Sequence, residues 1–125
     1  MREVRTFLLI LMVALLCTHE LDAMTHAEWR MLPILSGMED GVARQVFVWF
    51  HIPLFALIFW AVFVARWREL GALVFALGAV IHSIAHFLLS GHHDYSFVPP
   101  VETVTVYGAG LFGAVYLTLR VWSRR

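Results

Sequence analysis

A chain of 125 residues makes one compact unit, with no room for a second domain. Hydrophobic residues make up 61 % and charged residues 14 %, with a mean hydropathy of +0.78; a soluble domain would be roughly half apolar and a quarter charged, so the surplus reads as an integral membrane protein. Zero formal net charge leaves no basic footprint for nucleic acid, and the single Cys17 excludes an internal disulfide and a thiolate-rich zinc site.

The apolar runs predict an all-α, four-helix integral membrane bundle spanning about 5–24, 43–65, 70–90 and 102–121. The first run follows Arg2 and Arg5, which also suits a secretory signal. Cleavage after Ala23 would put Leu21 at the −3 position, a poor fit to the small-x-small rule, so the run reads as a retained span. Its last third is polar, with Thr18, His19, Glu20 and Asp22. Thr25-x-x-Glu28 and Ser36-x-x-Glu39 have the capping-box pattern. Between them, 29–32 reads either as a short interfacial helix stopped by Pro33 or as a continuation of the first helix. Pro53 is expected to kink the second span near His51. The third span contains His82, Ser83 and His86. A loop follows with His92, His93, Asp94, Tyr95 and the Pro99-Pro100 pair. Gly108, Gly110 and Gly113 give the fourth span a small-residue face, the expected seam of a homodimer.

Arginine sets the expected orientation. Arg2, Arg5, Arg66, Arg68, Arg120, Arg124 and Arg125 fall on the side of the termini; Arg30 and Arg44 fall on the other, diluted by Glu28, Glu39 and Asp40. Seven against two predicts cytoplasmic termini in a multi-pass protein of the cytoplasmic (inner) membrane. All seven histidines then lie in the outer half. His82 and His86, at i and i+4, share a helix face about 6–12 Å below its outer end. This is the spacing by which two imidazoles on one helix bind one metal. His19, Asp22 and His26 also share a face if the first helix runs that far, and His51 lies at matching depth. Glu20 and Glu28 point elsewhere on such a helix. The expected metal ligands are therefore His19, His82, His86, Asp22 and His26, with Asp22 and His51 also candidates for a catalytic base. Nitrogen and carboxylate donors without thiolate suit a divalent metal: zinc, iron or manganese. Each part also has a plainer reading. His51 reads as a packing residue and His92 and His93 as solvated. Glu28-Trp29-Arg30 reads as an interfacial anchor with a local salt bridge, and Ser83 as bonded back to its own helix.

His19-Glu20-Leu21-Asp22-Ala23 with Glu28-Trp29-Arg30, ahead of an HxxxH span, resembles a family of small bacterial four-helix membrane proteins of unknown function. More distantly it is similar to the HXXEE-type membrane domain, although the acidic residues after His19 are Glu20 and Asp22 rather than two consecutive glutamates. The resemblance implies a membrane metal site and no established reaction. Together these features lead to the expectation of a metal-dependent hydrolase acting on a lipid-like or small amphiphilic substrate. Alternatives are a haem-binding electron carrier, with His51 and either His82 or His86 as axial ligands, and a non-enzymatic transport or partner subunit. Membrane lipid is the expected partner throughout.

Overall fold

A computed structural model describes residues 2–123; Arg124 and Arg125, part of the orientation argument, lie outside them. Among the described residues there are four long helices and no strand. They are α1 (Arg2–Thr25), α2 (Asp40–Phe59), α3 (Arg68–Leu89) and α4 (Gly108–Trp122). A π-turn at Trp60–Val64 prolongs α2, and another at Thr103–Tyr107 leads into α4. With these turns, each helix is long and apolar enough to cross a membrane. The chain is a multi-pass membrane protein by this measure. Most of its large exposed side chains are apolar, as a lipid-facing surface requires.

The helix ends differ from the capping pattern. Thr25 is the last residue of α1 and donates its hydroxyl back to the Leu21 carbonyl, 3.3 Å away. Ser36 likewise bonds back, to Pro33, and it is Glu39 that caps α2, accepting the Gly41 and Val42 amides at 3.0 Å each. A side chain that bonds within its own turn is unavailable as a cap. After α1, Ala27 adopts a left-handed conformation (φ 52°) and reverses the chain into a short 3₁₀ turn, Glu28–Arg30. Arg30 pairs with Asp40 rather than with the neighbouring Glu28: its Nε and Nη2 reach the carboxylate at 2.7 and 3.0 Å, and the Trp29 indole donates to the same group.

Two packed regions stack along the bundle. Near the termini, Leu8, Leu9 and Met12 of α1 meet Ala72, Ala76 and Ala79 of α3 and Tyr116 of α4. At the far end, Trp29, Met31, Ala43, Phe47 and Phe97 form a roof. The closest helix pair is α3 with α4, and the small-residue face of α4 makes it possible. Gly110 lies against Ser83 and Gly113 against the Ala76 carbonyl, so the face expected to meet a second copy packs on α3 of the same chain. Ser83 donates within reach of the Ala79 carbonyl (3.0 Å) and of Val106 in the π-turn (2.7 Å).

By contrast, α2 stands off from α1. Its backbone approaches the rest at its ends, through the 3₁₀ turns and through Trp60–Val64 against α3, while midway the His51 side chain reaches Glu20 of α1. Midway, a cavity of about 210 Å³ opens between α1, α2 and α3, walled by Leu16, Leu54, Phe55 and Phe75 and ending at Glu20 and His82. Gly78 borders it, and a Cβ there meets nothing within 4 Å. Gly78→Leu is accordingly expected to change stability by no more than about 1 kcal/mol, read as thermal unfolding in detergent.

Candidate metal centre

The polar end of α1 and the HxxxH face of α3 meet between the two packed regions. His19 is fully buried and His86 is 3 % exposed. The rings of His19, His82 and His86 form a triangle with centroids 4.9, 4.7 and 4.8 Å apart, and one nitrogen from each lies within 4.8 Å of the others. The reversal at Ala27 folds Glu28 over them. Its side chain is 11 % exposed, and the carboxylate lies 3.3 Å from His19 Nε2 and 4.0 Å from His86 Nε2.

These groups converge without satisfying one another. Neither nitrogen of His19 has a hydrogen-bond partner, and the same is true of His82 Nε2 and Glu28 Oε2. A buried polar atom without a partner costs about 1–3 kcal/mol, so a group of them at one point needs an explanation. Close approach without alignment is the arrangement of donors around a shared centre. On the far side of His86, Nδ1 lies 3.1 Å from the Tyr95 hydroxyl, which orients the ring and turns Nε2 toward Glu28, and Glu102 Oε1 lies 3.4 Å from the same nitrogen without a hydrogen bond of its own. A carboxylate behind a histidine is the usual support for a metal-ligating imidazole.

Electrostatics separates the two glutamates. Burial pushes the Glu28 carboxyl up, but the adjacent His19 imidazole and the charges of His86 and His82 outweigh this and hold it below its ordinary range. Burial raises Glu102 above its ordinary range, with His19 offsetting part of the effect. Glu28 therefore offers an anion, whereas Glu102 holds its proton to higher pH.

Phe97 covers the cluster, with its ring centroid 5.5 Å from His19 and 5.0 Å from His86, and Ser96 ties this loop to the end of α1 through the His26 carbonyl. The other expected ligands lie apart from the triangle. Asp22 and His26 pair with each other at 3.3 Å, His26 stacking on Phe97; α1 ends before His26 can continue the face of His19. His51 is engaged at both nitrogens, by the Phe47 carbonyl at 2.6 Å and by Glu20 Oε2 at 2.8 Å, and so faces α1 rather than His82 or His86. His92, His93 and Asp94 form a separate loop cluster, in which the His93 side chain is 83 % exposed. Glu28, Glu102 and Tyr95 are the site residues that spacing did not single out.

Two buried histidines, the half-buried His82 and the Glu28 carboxylate converge in a chain with four membrane-length helices, which defines the class: a multi-pass membrane protein with a histidine cluster. The chain belongs to DUF6713, a family of unknown function whose model matches residues 5–123. No curated protein and no solved structure matches it.

Proposed function

We propose that the protein is a metal-dependent membrane enzyme in which His19, His82, His86 and Glu28 hold one divalent ion, zinc, iron or manganese. The observation that carries this reading is the convergence of buried, unpartnered nitrogens and a carboxylate oxygen from α1, α3 and the intervening 3₁₀ turn. The donor set fits such an ion: imidazole and carboxylate with no thiolate within the group. The likeness to the HXXEE-type domain points the same way.

The reaction class follows from the surroundings. A bound ion with an open position would activate water for hydrolysis. The apolar cavity ending at Glu20 and His82 suits one hydrocarbon arm of a lipid-like or small amphiphilic substrate, with its polar group toward the histidines. His51 and Glu20 share a proton at that boundary: the Phe47 carbonyl takes the hydrogen on Nδ1, leaving Nε2 to exchange with the carboxylate. Their role is to accept and return a proton; His26, whose Nδ1 lies on the Asp22 backbone carbonyl, has no such arrangement with the Asp22 carboxylate. The arginine distribution supports cytoplasmic termini, which puts the centre on the outer side of the cytoplasmic membrane.

Metal analysis of protein purified in mild detergent without chelator tests the reading. About one equivalent of a transition metal per chain is expected; less than about a tenth overturns it. Glu28→Gln, which keeps the shape and removes the charge, should weaken metal binding by roughly 10–100-fold in a competition titration.

A further inference from the structure

The opposite end of the bundle carries a second polar cavity. Arg5 occupies the same face of α1 as Leu8, Leu9 and Met12, at i+3, i+4 and i+7, and these three are buried. Helical geometry therefore directs Arg5 inward, toward α3 and α4. Its Nε and Nη1 are inaccessible and have no hydrogen-bond partner among the described residues. Beside them lies a cavity of about 230 Å³ lined by Arg5, Thr6, Arg68, Glu69 and Tyr116, with apolar walls from Leu9 and Val62.

Charge is unbalanced there. Glu69 is the one carboxylate in the lining, and Arg120 takes it at 3.1 Å. Glu3, the other acid at this end, lies on the exposed outer side of α1 beside Phe7 and Ile10. Arg5 and Arg68 thus have no carboxylate within 4 Å among the described residues. A guanidinium with two inaccessible nitrogens and no counter-ion is costly, and its planar fork matches the oxygens of a phosphate. The volume corresponds to roughly seven or eight waters at about 30 Å³ each, enough for a phosphate group with its hydration. Arg5 and Arg68 both lie within three residues of the end of a membrane-length helix, where lipid headgroups sit.

We infer that this cavity binds the phosphate of an anionic lipid headgroup, with Arg5 as the inner and Arg68 as the outer cation. The site lies about 21 Å along α1 from His19, at 1.5 Å per residue, and does not depend on the histidines. It adds a lipid-recognition function at the end carrying the termini, where basic pockets between helices take acidic headgroups.

The test is native mass spectrometry of the full chain in mild detergent, titrated with phosphatidylglycerol or phosphatidylcholine. Phosphatidylglycerol should bind roughly tenfold or more tightly. Arg5→Gln should bring the two lipids to within about twofold of each other. Arg5→Lys, which keeps the charge but not the fork, should retain part of the preference, and Arg44→Gln, at the other end, all of it. Equal binding of both lipids by the unaltered protein, or an undiminished preference in Arg5→Gln, overturns the inference. Inorganic phosphate provides the second arm: if it stabilises the protein as well as phosphatidylglycerol does, the lipid assignment fails in favour of a free anion. Thermal unfolding of the unaltered protein with each lipid decides the matter without any variant, since only phosphatidylglycerol should raise the midpoint.

Discussion

Replacing His86 by alanine is expected to lower divalent-metal affinity by on the order of a hundredfold or more, leaving the purified protein nearly metal-free. His86 is the best-supported ring of the triangle: the Tyr95 hydroxyl holds Nδ1, Glu102 lies beside it, and Nε2 turns to Glu28. Its loss removes one donor and leaves Glu102 and the Tyr95 hydroxyl without the ring between them. Stability should follow occupancy, because an ion present at a thousand times its dissociation constant adds about 4 kcal/mol to the folded state. The unaltered protein should therefore unfold at a clearly higher temperature than His86→Ala when metal is present. A chelator should remove the metal-dependent part of that difference. His51→Ala and His93→Ala are the controls, because Glu20 and the Phe47 carbonyl engage the first and solvent surrounds the second. Both should keep their metal. If elemental analysis finds a full equivalent in both His86→Ala and His19→Ala, or an empty site in His51→Ala, the proposed centre is wrong.

The pH response of Glu28 carries a sign that can be checked beside this. Its carboxyl is held below the ordinary value of 4.5, so the ionised form is the one the fold favours. That contribution is complete above the unfolded value and is lost as pH falls through the lower folded one. Unfolding midpoints of metal-free protein should therefore drop on acidification below about pH 4.5, and less so in Glu28→Gln.

How the site is built explains which parts of it the sequence revealed. The four spans were legible because lipid imposes long unbroken apolar runs, and hydropathy reads those directly. His19, His82 and His86 were legible from helical spacing and depth, two properties that survive as long as each helix is continuous. Glu28 was hidden by a single residue. Nine positions after His19, at about 100° per residue, it falls on the opposite face of an unbroken helix. The left-handed Ala27 brings it back instead. Asp22 lies within α1 before this break, but it pairs with His26 rather than with the His19 triangle. Glu102 was hidden differently, since a carboxylate after Pro99-Pro100 reads as loop until the chain is seen to fold it against His86. Glu20 is the opposite case: one residue from His19 puts it about 100° away, toward α2, where it meets His51. The separation of α2 from α1 has no signature in composition, because a side chain facing lipid and one facing an apolar cavity are chosen by the same preference.

Gly113→Val should be strongly damaging although it lies outside the histidine cluster. A Cβ at Gly113 would lie 2.7 Å from the Ala76 carbonyl oxygen and 3.2 Å from Val80 Cγ2. The first of these is backbone inside α3 and cannot rotate away, so the helices themselves must separate. Overpacking of this kind costs typically about 1–3 kcal/mol, and a β-branched side chain against a carbonyl belongs at the upper end. The strain also reaches the centre. Ser83 bridges α3 to the π-turn before α4, and His82 and His86 continue along α3 from that contact, with Glu102 just ahead of the π-turn. Moving α4 outward therefore draws Glu102 from His86 as well as opening the core between Ala76 and Tyr116. Gly113→Val should lower the thermal midpoint in detergent by several degrees and weaken metal binding with it, whereas Gly78→Leu, on the open side of the same helix pair, should do neither. Equal midpoints for the two variants would mean that α3 and α4 are not held together by this close approach. Loss of stability with unchanged metal affinity would mean that the histidines are positioned by α1 and the roof alone.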